Sequence, residues 1–189
     1  MMNAPRWFAH SLLVVVGAAL LAACGESPAG PARRAATPAP SLDRGADLGT
    51  CTNLDASGST LVLHAYATGV QIYRWNGTAW TFIAPSAELY ADAEGHGLIG
   101  THYAGPTWES VSGSTVVAAV IDRCTPNPNA IPWLKLGAVS ASGPGIFGRV
   151  AFIQRVNTAG GTAPTIGGSV VGEEARVPYR AEYFFYRAP

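Results

Sequence analysis

The densest group of chemically versatile side chains lies between His102 and Glu109, in the segment His-Tyr-Ala-Gly-Pro-Thr-Trp-Glu. A histidine and a nearby carboxylate can act as a general base and its orienting partner, or can bind a metal ion. Tyr103 and Trp108 add rings of the kind that line ligand pockets. In the structural alternative, Gly105-Pro106 turns the chain, Trp108 enters the core and His102 is hydrogen-bonded. We favour this alternative over catalysis, because no acidic partner or oxyanion-stabilising group can be identified.

A second polar pair, Gln154-Arg155, lies in the middle of an apolar run. The planar guanidinium of Arg155 can hold a carboxylate or phosphate in a bidentate manner. It can also pair with Glu109 or Glu182 inside the domain, which is the commoner role for a strand arginine. We therefore expect His102, Tyr103, Trp108, Glu109, Gln154 and Arg155 to converge on a ligand site, or Arg155 and Glu109 to form a buried ion pair.

The remaining histidines and glycines give little support for a metal or a cofactor. His96 and His102 lack the close spacing that places two ligands on one element, and His64 belongs to another strand. Gly160-Gly161 is interpreted as a turn, because no helix follows it to cradle a phosphate. No Gly-x-Ser-x-Gly motif or Cys/His pair suited to nucleophilic catalysis occurs. We expect no cofactor and no metal.

The N-terminus has the order of a secretory signal. Arg6 precedes an apolar run from Ser11 to Ala23, which at about 13 residues is typical of a signal peptide and shorter than the ~20 residues of a spanning helix. The run closes on Leu21-Ala-Ala-Cys24, which resembles a bacterial lipobox. We predict that residues 1–23 are removed and that lipid on Cys24 anchors the exported chain to a membrane, facing the periplasm or the cell surface. An ordinary signal peptide cut nearby is the alternative.

The mature chain divides into a tether and one domain. Residues 24–46 are rich in Ala and Pro and show no apolar periodicity, whereas residues 47–189 carry the strand patterns. The chain has 12 basic and 12 acidic side chains. Without a clustered basic face, nucleic acid is not an expected partner. The oligomeric state is not indicated by the sequence.

Two cysteines remain after Cys24 is assigned to lipid. Cys51 and Cys124 are the one pair left in a chain expected to leave the cytoplasm, so a disulfide between them is predicted. Closing a loop of about 73 residues would stabilise the fold by roughly 4 kcal/mol. Two free thiols are the alternative.

Short runs rich in β-branched and aromatic residues recur along the domain and alternate with Gly, Pro, Asn and Ser clusters. Asn76-Gly77 between two such runs predicts a hairpin turn. The predicted strands cover residues 60–66, 70–75, 80–83, 87–90, 98–103, 114–121, 133–139, 150–156 and 181–187. The sequence therefore predicts a single all-β domain, an antiparallel sandwich or barrel.

Several ordered motifs resemble a known family. They are Gly69-Val-Gln-Ile-Tyr73, Thr101–Glu109, Ile131-Pro-Trp-Leu134, Ile153-Gln-Arg-Val156 with Thr158, Gly160-Gly161 and Ala163-Pro164, and Val177–Tyr186. Together they resemble the secreted bacterial and fungal family called domain of unknown function 3455, from about Gly58 to Arg187. The resemblance implies no activity, cofactor or catalytic residue.

The resemblance also bears on the cysteines. Members of that family often carry a cysteine shortly after the first Gln-Ile-Tyr and another after the Gly-Gly-x-Ala-Pro segment. This chain has Trp75 and Gly168-Ser169 in those neighbourhoods. If the family pairs those cysteines, this chain has lost both partners and uses Cys51 with Cys124 instead.

The functional prediction is a lipid-anchored cell-envelope protein whose domain binds a small molecule, a glycan or a protein without catalysis. A hydrolase-like enzyme that uses the His102–Glu109 region with Arg155 is the alternative, and a structural envelope protein is a third. Convergence of His102, Glu109, Gln154 and Arg155 in one open pocket would favour binding or catalysis over a structural role.

Overall fold

The computed structural model describes residues 44–189. The predicted signal peptide, lipidated Cys24 and nearly all of the predicted tether lie outside the described residues. Within them the chain forms eight strands and two short 3₁₀ helices. The strands are β1 Thr60–Trp75, β2 Trp80–Tyr90, β3 Leu98–Tyr103, β4 Thr107–Ser110, β5 Thr115–Cys124, β6 Trp133–Ser142, β7 Phe152–Gly160 and β8 Glu174–Arg187.

The strands form a closed barrel in which each strand pairs with its neighbour in the chain and β8 pairs with β1. Every pairing is antiparallel. The all-β prediction is confirmed, in its barrel form. None of the helices in residues 44–189 has the length and apolar character needed to cross a membrane.

Alternation along the strands separates an inner from an outer face. Small side chains point inwards from β1 and β2, where Ala65, Ala67 and Ala87 are buried. On the neighbouring strand β8, Tyr183, which is paired with Ala65, and Phe185 contribute buried rings to the same core. The small residues on β1 and β2 thus leave space in the interior for the large rings from β8.

Two pairs of predicted strands each form a single strand, and one strand was missed. Predicted strands 60–66 and 70–75 are one continuous strand, β1, because Gly69 serves close packing and not a turn. A Cβ at Gly69 would lie 2.2 Å from the carbonyl oxygen of Ser86 on β2. The predicted strands 80–83 and 87–90 likewise merge into β2. The missed strand is β4, whose four residues are too few to show a period.

The segment before β1 packs on the outside of the barrel. Cys51 and Cys124 form the predicted disulfide, with Cα atoms 5.8 Å apart, so the alternative of two free thiols is wrong. A second apolar cluster under this segment includes Val156, Phe184 and Tyr186. The disulfide thus ties the first described residues to the end of β5.

Trp75 and the neighbourhood of Gly168-Ser169 meet in the structure. Trp75, at the end of β1, lies against Gly167 and Gly168: a Cβ on these glycines would come within 2.9 and 2.7 Å of the indole. An aromatic contact therefore joins the two places here, while the disulfide lies elsewhere.

Candidate ligand-binding site

The candidate site is a cavity at one end of the barrel. In an up-and-down barrel, alternate connections lie at the same end, so the β1–β2, β3–β4, β5–β6 and β7–β8 loops surround one opening. At the opposite end, the second 3₁₀ helix, Ile146–Arg149, inserts the fully buried Phe147. The barrel is therefore plugged at one end and open at the other.

The cavity has a volume of about 470 Å³, within the range of pockets that hold small organic ligands. Its walls are mostly apolar or aromatic. Phe82, Ile83 and Val120 line the cavity and are 50%, 42% and 43% exposed. An apolar rim thus surrounds the entrance, available to an apolar ligand body.

Cross-strand pairing builds the inner wall. Arg155 on β7 is paired with Leu134 on β6 and with Tyr183 on β8. On the other side, His102 on β3 is paired with Trp108 on β4. All five residues line the cavity, because paired residues point to the same face of a sheet.

Buried polar groups without partners concentrate here. Gln71, Trp108 and Tyr183 are at most 2% exposed and line the cavity. Within the described part of the chain, Gln71 Nε2, Trp108 Nε1 and the Tyr183 hydroxyl have no hydrogen-bond partner. A buried polar atom without a partner costs about 1–3 kcal/mol. All three atoms belong to residues that line the same cavity.

Tyr179 does not line the cavity but lies against residues that do. Its hydroxyl lies near Tyr183 and Gln71, but neither contact has hydrogen-bond geometry, and within residues 44–189 the hydroxyl is also buried without a partner. Burial raises the pKa of Tyr179 and of Tyr183. Both phenols are therefore neutral and can donate a hydrogen bond at neutral pH.

His102 is neutral as well. It is 3% exposed, and burial lowers its pKa to about 3. Its Nδ1 lies 2.9 Å from the carbonyl oxygen of Thr107, so Nδ1 carries the proton and Nε2 carries a lone pair. The structural alternative is confirmed: Gly105 has a φ of 101° at the turn, Trp108 is buried, and His102 is hydrogen-bonded.

Arg155 supplies positive charge to the cavity and has no ion-pair partner among residues 44–189. Its Nε and Nη2 donate to the carbonyl oxygen of Pro132, at 3.2 and 2.8 Å, and its remaining N–H groups lie near the Tyr183 hydroxyl. The predicted pairing of Arg155 with Glu109 or Glu182 is wrong. Ion pairs within residues 44–189 join His64 to Glu182, Arg74 to Glu174 and His96 to Asp92.

The structure separates the six predicted site residues into two groups. His102, Trp108 and Arg155 meet at the cavity. Tyr103 and Glu109 lie on the outer face, where the Tyr103 hydroxyl donates to Glu109 Oε2 at 2.8 Å. Gln154 also points outwards. Convergence of all six is therefore wrong, because neighbours on a strand face opposite sides of the barrel wall.

Gln154 does not line the cavity, and its side chain makes two hydrogen bonds within the fold instead. Its Nε2 donates to the carbonyl oxygen of Leu54, and its Oε1 accepts from the Tyr186 hydroxyl, both at 2.7 Å. The side chain thus joins the segment before β1 to the outside of β7 and β8.

Sequence reasoning missed Gln71 and Tyr183 as cavity residues. Gln71 shares the inner face of β1 with Tyr73, and both line the cavity. The sequence contained a signal: alternation in Val70–Trp75 places Gln71 on the same face as Tyr73 and Trp75. Tyr183 was indistinguishable from a core ring until its hydroxyl was seen to lack a partner.

A cluster outside the cavity has side chains that could share a cation. Asp92, Glu94 and His96, in the β2–β3 loop, have ligand atoms within 4.8 Å of one another. His96 Nδ1 already lies 2.9 Å from Asp92 Oδ2, and Asp92 Oδ1 also accepts the His96 backbone N–H. These internal contacts explain the cluster without an ion, and it does not join His96 to His102.

The fold and the cavity define the class of protein, a small, closed, eight-stranded antiparallel barrel. One end of the barrel is plugged, and the other end has a cavity lined in part by buried polar side chains. The chain belongs to the family described as protein of unknown function (DUF3455), whose model matches residues 56–187. The resemblance seen in the sequence is thereby confirmed. No curated protein and no solved structure shows a significant match.

Proposed function

We propose that this protein binds a small organic molecule in the open end of its barrel and does so without catalysis. The observation that carries the proposal is the set of buried polar atoms without partners, Gln71 Nε2, Trp108 Nε1 and Tyr183 Oη, around one cavity of ligand size. Buried polar groups in native proteins are almost always hydrogen-bonded. A bound ligand would provide the partners that the chain does not.

Binding is better supported than hydrolysis. General acid–base catalysis at neutral pH needs a group whose pKa lies near the working pH, and the His102 pKa of about 3 is far below it. Glu109, the carboxylate expected to assist His102, lies on the outer face with Tyr103. The two members of the hypothetical catalytic pair are on opposite sides of the barrel wall.

A small molecule also suits the cavity better than a glycan or a protein. Glycans are typically bound on exposed rings with many polar contacts, and protein interfaces are broad. Here the polar groups lie at the bottom of an enclosed space behind an apolar rim. A ligand with a polar end and an apolar body would place its polar end against the buried polar groups and its body against the apolar rim.

We also propose that the protein acts outside the cytoplasm, attached to a membrane by lipid on Cys24. The Leu21–Cys24 sequence supports the attachment. The Cys51–Cys124 disulfide supports an oxidising compartment.

The binding proposal can be tested by a thermal-shift screen of small organic molecules on three versions of the full chain. Val120→Trp places a bulky ring on the cavity rim, at a residue that is 43% exposed. Val139→Trp makes the same change at an exposed valine, 71% accessible, that does not line the cavity. A ligand at about 100 times its Kd stabilises the folded state by about 2.7 kcal/mol, a shift of several degrees.

The expected result is a compound class that raises the melting temperature of the wild type and of Val139→Trp, but not of Val120→Trp. A screen in which no compound stabilises the wild type would contradict the proposal. A shift that persists in Val120→Trp would place the binding site elsewhere.

A further inference from the structure

The polar groups around the cavity include more hydrogen-bond donors than acceptors. This difference indicates the chemical class of the ligand. Trp108 Nε1 and Gln71 Nε2 are donors, and both are buried without hydrogen-bond partners among residues 44–189. Arg155 has N–H groups beyond the two bonded to Pro132, and they lie near the Tyr183 hydroxyl, which can donate as well. The acceptors at the cavity include the lone pair of His102 Nε2 and the Gln71 Oε1, and the donors outnumber them.

The charges around the cavity have one sign. Arg155 and Arg123 line it, and no aspartate or glutamate does. Two carboxylates on strands of the cavity wall have partners on the outside: Glu182 accepts from His64 at 2.7 Å, and Glu109 accepts from Tyr103. Arg155 is half-buried, where its charge is screened less by solvent than it would be on the surface.

From these donors and this charge we infer that the ligand is a carboxylate with an apolar body, its carboxylate held by Arg155 with Gln71 and Tyr183. This inference rests on the proposed function. A carboxylate accepts several hydrogen bonds through its two oxygens and donates none, which matches the excess of donors. The planar guanidinium suits its geometry.

The size of the charge favours a carboxylate over a phosphate monoester. Arg155 is the cation on the inner wall, whereas Arg123 is exposed. A phosphate monoester carries a charge of about −1.5 to −2 at neutral pH. One guanidinium would leave part of that charge uncompensated in a largely apolar space. A single carboxylate charge is balanced by Arg155.

The apolar body would lie towards the opening. The rim residues Phe82, Ile83 and Val120 are about half exposed, and the wall contains both rings and aliphatic side chains. This lining does not discriminate between an aryl and an alkyl body, so a test should include both.

The test uses isothermal titration of the full chain at pH 7.5 with two acids and their matched amides. The probes are naphthalene-2-carboxylate and naphthalene-2-carboxamide, and decanoate and decanamide. A charge-assisted contact with Arg155 should make at least one acid bind about tenfold or more tightly than its amide. Arg155→Gln should reduce that preference to less than about threefold, whereas Arg149→Gln, at the plugged end, should leave it unchanged.

The wild-type comparison needs no variant, so the inference stays testable if Arg155→Gln does not fold. Equal binding of acid and amide, abolished by Val120→Trp, would overturn the inference and leave the binding proposal standing. Binding that survives Val120→Trp, or no binding of any probe, would overturn the inference. The proposed function itself would fail only if, in the broader thermal-shift screen, no compound stabilises the wild type while leaving Val120→Trp unaffected.

Discussion

The imidazole of His102 stacks on the indole of Trp108, with ring centroids 4.1 Å apart and planes 9° from parallel. The edge of Tyr183 meets the same imidazole at 5.5 Å between centroids. The imidazole thus lies between aromatic rings. In its neutral form it already donates the hydrogen bond to the Thr107 carbonyl. A proton on Nε2 would be buried without solvation, which is why the pKa of His102 is low.

This environment predicts a specific pH dependence of stability. The His102 pKa falls from 6.5 to about 3 on folding, so between these values the unfolded state binds more protons than the folded state. The stabilisation is therefore present above about pH 6.5 and is lost as the pH falls, by at most about 1.4 kcal/mol per pH unit. Urea unfolding at pH 7, 6 and 5 should show a shallower dependence in His102→Phe than in the wild type.

The control for this comparison is His96→Ala, since the side chain of His96 is 76% exposed and outside the barrel. It should keep the wild-type pH dependence. Measurements stay above pH 5 so that protonation of Glu182, whose pKa is lowered by its hydrogen bond from His64, contributes little. An NMR titration in which the His102 ring protonates near pH 6.5 would show the environment to be wrong.

The strand patterns of the sequence predicted the all-β fold and one strand, 98–103, with the bounds that the structure has. The same alternation excludes Tyr103 from the face that holds His102, and Gln154 from the face that holds Arg155. The prediction that these four side chains share one site did not take this alternation into account. What no local pattern contains is the register across strands, which places His102 opposite Trp108 and Arg155 opposite Tyr183. That register depends on closure of the whole barrel.

Gln154→Leu should destabilise the fold without affecting ligand binding. The change leaves the Leu54 carbonyl and the Tyr186 hydroxyl, both now bonded to Gln154, without partners, at a cost of about 2–4 kcal/mol. Urea unfolding measures the loss. Tyr186→Phe removes one of the two contacts and should cost about half as much. Normal stability with lost ligand binding would return Gln154 to the candidate site residues.

Cys24→Ser should release the protein from the membrane. The substitution removes the thiol that would carry the lipid, and attachment by acyl chains is the one anchor that the leader sequence predicts. Fractionation and acyl labelling measure the effect. The double variant Cys51→Ser with Cys124→Ser should lose the disulfide and stay in the membrane fraction. Acyl-labelled Cys24→Ser in the membrane pellet would refute the lipoprotein prediction.

The same chemical change should have opposite effects at two tyrosines of the cavity. The Tyr73 hydroxyl donates to the Gly161 carbonyl at 2.7 Å. Within residues 44–189 the buried Tyr183 hydroxyl lies near Tyr179 and Arg155 but makes no contact with hydrogen-bond geometry. Without ligand, Tyr73→Phe should lower the free energy of unfolding by about 1–2 kcal/mol, because it removes a satisfied hydrogen bond. Tyr183→Phe should raise it by about 1 kcal/mol, because it removes an unsatisfied one. With a carboxylate bound, Tyr183→Phe should weaken affinity. If Tyr183→Phe destabilises the ligand-free protein as much as Tyr73→Phe does, the Tyr183 hydroxyl already has a partner within the ligand-free protein and does not require one from a ligand.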